Sequence, residues 1–408
     1  MTQGHNRPLQ PGRRAPWPES VSRPVASPLQ PSVVYAADSP DGLDAQYEGY
    51  VAGWTYAREG HPNAATLAAM IDRLEGAQGG VMTGSGMAAV SAALLAVAGA
   101  GDHVIGADQL YGRSLRLLAE DLPRLGIATS LVDASAPGAV AAAIRPETKA
   151  VLVEVVSNPT IRIADLAGIA AACHDRGVAL LIDNTFTTPL GLRAFDHGAD
   201  IVIHSVTKLL AGHSDATLGY VAARDPGLTE RLATCVATWG MTASPFDCWL
   251  AERGLHTFPL RYARASATAA ALADALADMP GVTRVLYPGR ADHPDAARAQ
   301  SLLAGQWGNM VSFEVAGGRS AANALVAAMP DLPFAPTLGD VGTTLSHPPS
   351  SSHRALSPEG RTALGISEGF FRVSVGLEEP EALIAEFASG CAAAAAFAGA
   401  TAGAPAAG

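Results

Sequence analysis

The chain has 408 residues, of which 49% are hydrophobic and 16% are charged, and its formal net charge is -11. This length allows two or three domains with a sizeable core, and the acidic balance argues against nucleic acid or an anionic membrane as a partner. No apolar run reaches the length of a transmembrane helix, and the N-terminus lacks an apolar signal core. We therefore expect a cytoplasmic globular protein.

Residues 1–60 are predicted to form an extended N-terminal arm. Residues 1–30 are rich in Pro, Arg, Gln and Ser, which is typical of a partly disordered segment. From Tyr47 to Arg58 the chain is rich in aromatic residues and glycine, without clear periodicity. Such a segment favours packing against another surface over forming a core of its own.

From Pro62 onwards, short apolar strands alternate with helices. The predicted strands are 80–83, 103–107, 129–132, 150–154, 179–183 and 201–203. The predicted helices between them are 65–75, 88–97, 114–122, 139–144 and 166–173. Short, continuously apolar strands separated by helices indicate an α/β fold with a mainly parallel sheet that is covered on both faces.

A second, smaller α/β unit is predicted after helical patterns that run to about Leu276. Its strands lie near 282–286, 311–315 and 370–375. The tail after Ala392 is an Ala/Gly/Pro low-complexity segment, for which we expect a mobile chain. We therefore assign residues 61–259 to a large domain and residues 260–408 to a small C-terminal domain that includes this tail.

Lys208 lies just after the last of the large domain's predicted strands. Of the 27 lysines and arginines in the chain, only Lys149 and Lys208 are lysines. Arginine supplies charge without titrating, whereas lysine can lose its proton and act as a nucleophile or form a Schiff base. By placement alone, Lys208 is equally well explained as an ordinary lysine at a strand end.

Other polar residues also follow the predicted strands. In open sheets of this type, ligands bind beyond the carboxyl ends of the strands. The candidate site residues at these ends are Ser85, Gly86, Met87, Tyr111, residues 154–158, Asp183, Ser205, Thr207 and Lys208. One aldehyde cofactor, pyridoxal 5'-phosphate, would use this combination of side chains.

Three side chains would serve the ring of that cofactor. Lys208 would hold it as a Schiff base, and Asp183 would pair with the ring nitrogen so that the ring accepts electrons. Tyr111 offers a flat face for stacking. Individually these signals are weak, since a strand-end aspartate is commonly a helix cap and a lone tyrosine is commonly a packing residue.

The phosphate of the cofactor would lie in a cradle at a helix start. The amides of Gly86 and Met87, next to Ser85, favour an anion. The hydroxyl groups of Ser205 and Thr207 would complete the cradle.

Several other motifs are only partly matched. Gly79-x4-Gly84 has the glycine spacing of a phosphate loop but lacks its lysine, and Gly84-x-Gly86-x-x-Ala89 with Asp108 fits a loose dinucleotide fingerprint. His213-Ser214-Asp215 contains the residue types of a catalytic triad, but neighbours in sequence rarely meet in that geometry. His204 and His213 lack the spacing to carboxylates or cysteines that is typical of metal sites, and the four cysteines are far apart without a CxxC pair, so we expect no metal and no disulfide.

The segment around Lys208 resembles the lysine signature of the Cys/Met-metabolism pyridoxal-phosphate enzymes. This family includes cystathionine γ-synthases, cystathionine γ- and β-lyases and methionine γ-lyase. The resemblance runs from about Val33 to Phe387. The motifs that carry it are Tyr56-Ala-Arg58, Gly84-Ser-Gly-Met-Ala-Ala89, Leu110-Tyr-Gly112, Glu154-Val-Val-Ser-Asn-Pro-Thr160, Asp183-Asn-Thr-Phe-x-Thr-Pro189, Ser205-Val-Thr-Lys-Leu-Leu-x-Gly-His-Ser214, Thr337-Leu-Gly-Asp340, His347-Pro348 and Phe371-Arg-Val-Ser-Val-Gly-Leu-Glu378.

The resemblance implies the type I fold of pyridoxal-phosphate-dependent transferases, with a mainly parallel seven-stranded sheet and a smaller C-terminal α/β domain. It also implies that Arg372 binds the α-carboxylate of an amino-acid substrate and that Asn158 bonds to the ring hydroxyl. Tyr56 and Arg58 would reach the phosphate of a neighbouring subunit, which implies a homodimer or homotetramer with shared active sites. Surface salt bridges are the alternative for Arg58 and Arg372.

The family's chemistry implies Lys208 as the general base, with a pKa lowered by its buried cationic surroundings, and Tyr111 as the proton donor to the leaving group. We expect a C–S lyase that performs γ-elimination on a methionine-, homocysteine- or cystathionine-like amino acid. The first alternative is a transferase that performs γ-replacement on an O-acylated homoserine, and the second is a β-lyase. A non-enzymatic interaction protein is the remaining, least favoured alternative.

Three positions depart from the family's substrate-pocket pattern. Thr337 replaces a serine, and its neighbour Pro336 lies where cystathionine-handling γ-enzymes tend to carry an acid. Arg113 lies where methionine γ-lyases carry a cysteine. We expect Arg113 and Thr337 to bind substrate, with Arg113 meeting an anionic distal group. The alternative is that Arg113 points to solvent or pairs with Asp121.

Overall fold

Two β-sheets organise the computed structural model, which describes residues 20–402. Residues 1–19 of the predicted arm and the last residues of the predicted tail, 403–408, lie outside the described residues.

The larger sheet has seven strands and is mainly parallel, as the sequence predicts. Its strands in chain order are β1 Val81–Thr83, β2 His103–Ala107, β3 Ala128–Val132, β4 Thr148–Glu154, β5 Ala179–Asp183, β6 Ile201–His204 and β7 Gly219–Ala223. Their order across the sheet is β1-β7-β6-β5-β4-β2-β3. The five strands from β6 to β3 are parallel, and β7 runs antiparallel to both of its neighbours. The parallel strands therefore all end at one edge.

Helices connect and cover these strands. They are α1 Pro40–Tyr47, α2 Pro62–Glu75, α3 Gly86–Val97, α4 Gly112–Arg116, α5 Leu122–Arg124, α6 Ala139–Ala143, α7 Leu166–His174, α8 Thr188–Gly191, α9 Pro226–Thr238 and α10 Pro245–Leu255. The helix predicted over 114–122 is divided by a π-helical turn, Leu117–Asp121. Pro123 follows at once and has no amide hydrogen to donate, so regular α-helical bonding is interrupted here.

The smaller sheet has four antiparallel strands in the order β10-β11-β9-β8. The elements of this part are α11 Phe258–Ala277, β8 Val282–Leu286, α12 Ala296–Leu303, β9 Met310–Val315, α13 Gly318–Ala327, β10 Thr344–Ser346, α14 Pro358–Ala363, β11 Phe370–Ser374 and α15 Pro380–Ala402. The sequence predicts three of the four strands. It does not predict β10, because β10 has only three residues and two of them are hydroxylated.

The prediction of a mobile tail after Ala392 is wrong for the residues before 403, because the helix α15 continues to Ala402. Alanine has the highest intrinsic helix propensity, so this alanine-rich segment extends a helix that is already packed. Its segment Pro380–Ala398 is long and apolar enough to cross a membrane by length and composition, contrary to the expectation that no apolar run reaches that length. Leu383, Phe387 and Cys391 are buried in the core of the smaller sheet, so one face of this helix packs on that core.

The long helix α11 joins the two cores. Phe258 and Tyr262, near its start, pack in the core of the larger sheet, whereas Leu272 and Leu276 pack in that of the smaller sheet. The predicted domain boundary between residues 259 and 260 falls in its first turn and stays a prediction.

The described part of the arm is more structured than the sequence indicates. It contains α1, whose start is capped by Ser39. Further upstream, the chain docks on the large domain, where the Trp249 indole donates to Ser27 O at 2.9 Å. Between these contacts and α2, Tyr47 and Tyr50 are 68% and 80% exposed, so they contribute to neither core.

Candidate active site

A cavity of about 280 Å³ lies at the edge where the parallel strands end. Its walls come from both sheets, because residues that follow β4, β5 and β6 face residues 336–338, Ser346 and Arg372 of the smaller part. This is the position at which open α/β sheets bind ligands.

One end of the cavity is the N-terminus of α3. Ser85 caps this helix, and its hydroxyl accepts from the Ala88 amide at 3.1 Å. The amides of Gly86 and Met87 belong to the first turn, where no intrahelical acceptor exists. A Cβ on Gly86 would lie 2.6 Å from the Ser205 Cβ, so only glycine fits between the helix and the loop after β6. The result is a narrow cradle of free amides and a serine side chain, suited to an anion.

Asp183 and Lys208 lie on the floor of the cavity. Asp183 ends β5, and its Oδ1 accepts from the Thr185 amide at 3.0 Å. Burial raises the pKa of Asp183, while the Thr185 hydrogen bonds oppose the rise. Burial first, and then the charge of Arg372, lowers the pKa of Lys208, which favours the neutral amine.

Arg372 reaches the cavity from β11. Its Nη1 donates to Asn158 Oδ1 at 2.7 Å and its Nη2 donates to Thr337 O at 2.8 Å. Nε has no partner among the described residues, and burial lowers the pKa of the guanidinium to about 10. A buried cation with an unused donor is a site for a carboxylate.

Tyr111 stands at the mouth of the cavity, where it is 41% exposed. It precedes α4 as its N-cap without a side-chain cap, and its amide donates to Glu154 Oε1 at 2.7 Å. Glu154 ends β4 directly beside Asp183. Burial, then the neighbouring Asp183, raises the pKa of Glu154 well above its usual range.

The cavity brings together most of the residues predicted from the sequence. Those in its lining are Ser85, Gly86, Met87, Tyr111, Asn158, Asp183, Ser205, Thr207, Lys208, Thr337 and Arg372.

Three predicted site residues lie elsewhere in the single chain. Tyr56 and Arg58 are outside the cavity lining, where the Arg58 guanidinium lies 5.4 Å from the Tyr56 ring centroid and pairs with Glu59 at 3.5 Å. Arg113 is exposed on α4 and also lies outside the lining. Among the residues that the structure describes, no ion pair joins it to Asp121.

The lining also contains residues for which the sequence predicts no specific role. Glu154 ends β4 and was a strand-end candidate without an assigned role, and Thr185 follows β5, so its position was a usable signal. Phe186 is apolar and is typical of a core residue. Ser346 and Ser352 come from the distant 344–352 segment, and no local pattern predicts that this segment folds over the cavity.

These residues fit pyridoxal 5'-phosphate. The cradle at α3 matches a phosphate, the buried Asp183 matches a protonated ring nitrogen, and Lys208 supplies the amine. The unpartnered Arg372 Nε matches an amino-acid carboxylate. The donor set thus accounts for the cofactor and for a substrate beside it.

Comparisons with known proteins agree with the geometry. The sequence profile of the family described as "Cys/Met metabolism PLP-dependent enzyme" matches residues 14–392. An L-methionine gamma-lyase from Porphyromonas gingivalis is 35% identical over 90% of this chain and 92% of its own. An O-succinylhomoserine sulfhydrylase from Pseudomonas aeruginosa is 39% identical over 86% of each chain. The crystal structure of cystathionine gamma synthase from Xanthomonas oryzae pv. oryzae superposes with a TM-score of 0.86 at 36% identity, covering 91% of this chain and 94% of the other.

The resemblance inferred from the motifs is thereby confirmed, together with the fold and the cofactor. The chain belongs to the family of pyridoxal-phosphate-dependent enzymes of Cys/Met metabolism.

Proposed function

We propose that the protein is a C–S lyase that performs γ-elimination on a sulfur-containing amino acid of the methionine or homocysteine type. The products are an α-keto acid, ammonia and a thiol. The observation that carries the proposal is the convergence of Lys208, Asp183 and Arg372 on one cavity built by both sheets.

When bound, pyridoxal phosphate supplies an aldehyde for the substrate amine and a ring that accepts electrons from Cα. Arg372 would hold the substrate α-carboxylate and so fix which bond at Cα faces Lys208. The neutral amine of Lys208 would take the Cα proton and then move a proton from Cβ. Asp183 would keep the ring nitrogen protonated.

Tyr111 would complete the elimination at Cγ. Its phenol stands at the mouth of the cavity without a side-chain hydrogen bond to the helix that it caps, so it is free to give a proton to the departing sulfur. Cleavage of the Cγ–S bond then releases a thiol, and water converts the remaining unsaturated amine to the keto acid and ammonia.

The lining of the cavity favours a substrate without a second ammonium group. Its carboxylates are Glu154 and Asp183, both at the sheet edge, and Pro336 stands where cystathionine-handling γ-enzymes tend to have an acid. A cystathionine-like substrate would therefore leave its distal ammonium without an acidic partner from these walls.

Gamma-replacement on an O-acylated homoserine is the second candidate. The similarity to the O-succinylhomoserine sulfhydrylase is at least as high as that to the methionine gamma-lyases, and γ-replacement uses the same residues. The two reactions diverge only when the unsaturated intermediate meets a thiol instead of water. A β-lyase is the third candidate, since β-elimination needs one proton transfer fewer.

One assay separates these candidates. The purified holoenzyme is incubated with methionine, homocysteine, cystathionine and O-acetyl-homoserine, each with and without an added thiol. We expect 2-oxobutanoate from methionine or homocysteine without thiol. A new thioether formed only with thiol would favour γ-replacement, and pyruvate would favour β-elimination; either result would contradict the proposal.

A further inference from the structure

Glu154 is a buried acid in the cavity wall with one oxygen used and one unused. Oε1 accepts from the Tyr111 amide at 2.7 Å, whereas Oε2 is buried and has no hydrogen-bond partner among the described residues. The residue is 9% exposed. The chemistry proposed above for Lys208, Asp183, Arg372 and Tyr111 makes no use of this carboxyl group.

The unpartnered Oε2 indicates whether Glu154 is ionised or protonated. An ionised carboxylate with a buried, unpartnered oxygen is strongly unfavourable, whereas a protonated acid leaves a neutral O–H there. Arg372, a cation in the same cavity, directs Nη1 to Asn158 and Nη2 to Thr337. It therefore does not neutralise Glu154 through a direct hydrogen bond.

The neighbouring strand decides which of the two carboxyl groups keeps the proton. Asp183 pairs with Glu154 across β4 and β5, and its Oδ1 accepts a hydrogen bond from the Thr185 amide. Two adjacent carboxyl groups, here the buried Glu154 and the half-buried Asp183, do not both ionise easily. Both carboxyl groups accept an amide hydrogen bond, but Asp183 accepts from both the amide and the side chain of Thr185, whereas Oε2 of Glu154 has no partner among the described residues. We therefore assign the proton to Glu154.

The charged and titratable groups near Glu154 do not all act alike: Asp183 favours the neutral acid, whereas Arg372 favours the ionised form. They are Asp183 on β5, Arg372 on β11, Tyr111 before α4, and Asp108, Asp133 and Arg162 around a small cavity of about 20 Å³ that Glu154 also lines. The acids in this set favour a neutral Glu154, and Arg162 is committed to Asp295 at 2.6 Å.

The hydrogen bond to Tyr111 has a positioning effect. The Tyr111 amide lies at the N-cap of α4, where the helix offers no acceptor, and Gly112 packs so closely on Ser352 O that a Cβ there would collide with it. Glu154 and Ser352 thus hold the two sides of the turn that presents the Tyr111 phenol. Loss of the Glu154 acceptor would leave only the Ser352 side.

We propose that Glu154 is a positioning residue of this site: Oε1 anchors the Tyr111 turn, and Oε2 carries a proton, so the residue acts as a neutral acid. The claim that Glu154 positions Tyr111 rests on the proposed function, because catalytic turnover is the measurement that tests it. The claim that Glu154 is protonated does not rest on it, because thermal stability tests that claim. Glutamine is close in shape to a neutral glutamic acid and retains the acceptor for the Tyr111 amide.

Thermal unfolding of the holoenzyme at several pH values tests whether Glu154 is protonated. If the folded-state pKa of Glu154 is raised, the folded protein binds more protons than the unfolded chain above about pH 4.5, so wild type loses stability as pH rises. The Glu154→Gln variant cannot ionise at this position, so this contribution to the loss of stability is absent. We expect the Tm of Glu154→Gln minus that of wild type to increase by about 2 °C between about pH 5 and about pH 9. A difference that stays flat or falls would overturn the assignment. Glu147→Gln, at an exposed acid just before β4, is the matched control.

Turnover tests the positioning. With the substrate of the panel that wild type converts fastest, Glu154→Leu should lower kcat/KM about tenfold, because it removes the acceptor for the Tyr111 amide. Glu154→Gln should restore most of that loss. Equal impairment of both variants would show that charge matters and would overturn the proposal, as would full activity of Glu154→Leu. If wild type converts none of the substrates, the proposed function fails, whereas the Tm comparison still decides the protonation state.

Discussion

At the scale of single residues, Lys208 and Arg372 approach the same cavity from different parts of the chain. Lys208 follows β6 of the larger sheet, and Arg372 lies on β11 of the smaller one. After burial, the charge of Arg372 contributes to the lowered pKa of Lys208, which favours the neutral amine. A substrate carboxylate on Arg372 would partly cancel this effect.

Replacement of Arg372 tests its role in substrate binding. Arg372→Lys keeps the charge but loses the planar fork, and hydrogen bonds to charged groups contribute about 1.5–3 kcal/mol each. We expect kcat/KM to fall about 10- to 100-fold, mainly through a higher KM. Steady-state kinetics measure this, with Arg284→Lys as the control in the same sheet. Equal effects of both variants would argue against a carboxylate site at Arg372.

His353 gives a prediction about pH. It is 2% exposed, and burial, then Arg372, lowers its pKa to about 4. Between about pH 6.5 and pH 4 the unfolded chain binds a proton that the folded chain does not, so stability falls as pH falls. We expect His353 to cost wild type about 2 kcal/mol between pH 7 and pH 5.

The measurement is Tm against pH for wild type and His353→Gln. The variant should lose less Tm on acidification than wild type. The exposed His256→Gln should follow the wild-type curve. Parallel curves for wild type and His353→Gln would contradict this account of His353.

The chemistry-bearing residues are largely predictable from the sequence, because strand ends mark one edge of a parallel sheet. Lys208, Asp183 and Gly86 meet there for that reason. Ser352 was not predictable, since its place depends on how the irregular chain after β10 packs. The location of Arg113 outside the cavity also depends on the rotation of α4, which sequence spacing leaves open.

At the scale of elements, the N-terminus of α3 and the loop after β6 form one unit. Gly86→Ala would place a Cβ 2.6 Å from the Ser205 Cβ, so the helix and the loop would have to separate. We expect at least a tenfold weaker Kd for pyridoxal phosphate, because the anion cradle widens.

Absorbance titration of the apoprotein with the cofactor measures this Kd. Gly99→Ala is the control, since the nearest atom to its added Cβ is Asp102 Oδ2 at 3.9 Å. Unchanged affinity in Gly86→Ala would show that the phosphate does not lie at α3.

Most elements of the fold follow from the apolar pattern, and the exceptions have physical causes. Strand β10 is too short and polar to show a period, and its place depends on pairing with β11. The break in the helix predicted over 114–122 reflects Pro123, which the apolar pattern alone does not weigh. Helix α15 extends beyond the segment with a periodic apolar pattern, because the alanines that follow have a high helix propensity.

At the scale of the whole molecule, the aromatic side chains of the described arm contact one another, as Tyr35 and Trp54 do at 6.2 Å between ring centroids, and belong to neither core. Tyr47, Tyr50 and Trp54 are exposed, and Tyr56 and Arg58 lie away from the cavity. Exposed aromatic clusters of this kind favour a protein interface. We propose a homo-oligomer in which Arg58 of one subunit serves the cavity of another.

Co-expression of two inactive variants tests shared sites. Arg58→Ala and Lys208→Ala should each be nearly inactive alone. Random pairing makes about half of the dimers hybrid, and each hybrid contains one site with both residues intact, so about a quarter of the wild-type activity should return. Cavities completed within one chain would give no recovery.

The role of Lys208 as the cofactor-bearing residue is the central claim. Borohydride reduction of the holoenzyme, followed by peptide mass mapping, tests it directly because Lys149 is the only other lysine in the chain. We predict a stable pyridoxyl group on Lys208 and none in Lys208→Ala. Modification of Lys149, or of neither lysine in protein that retains the cofactor, would contradict the claim.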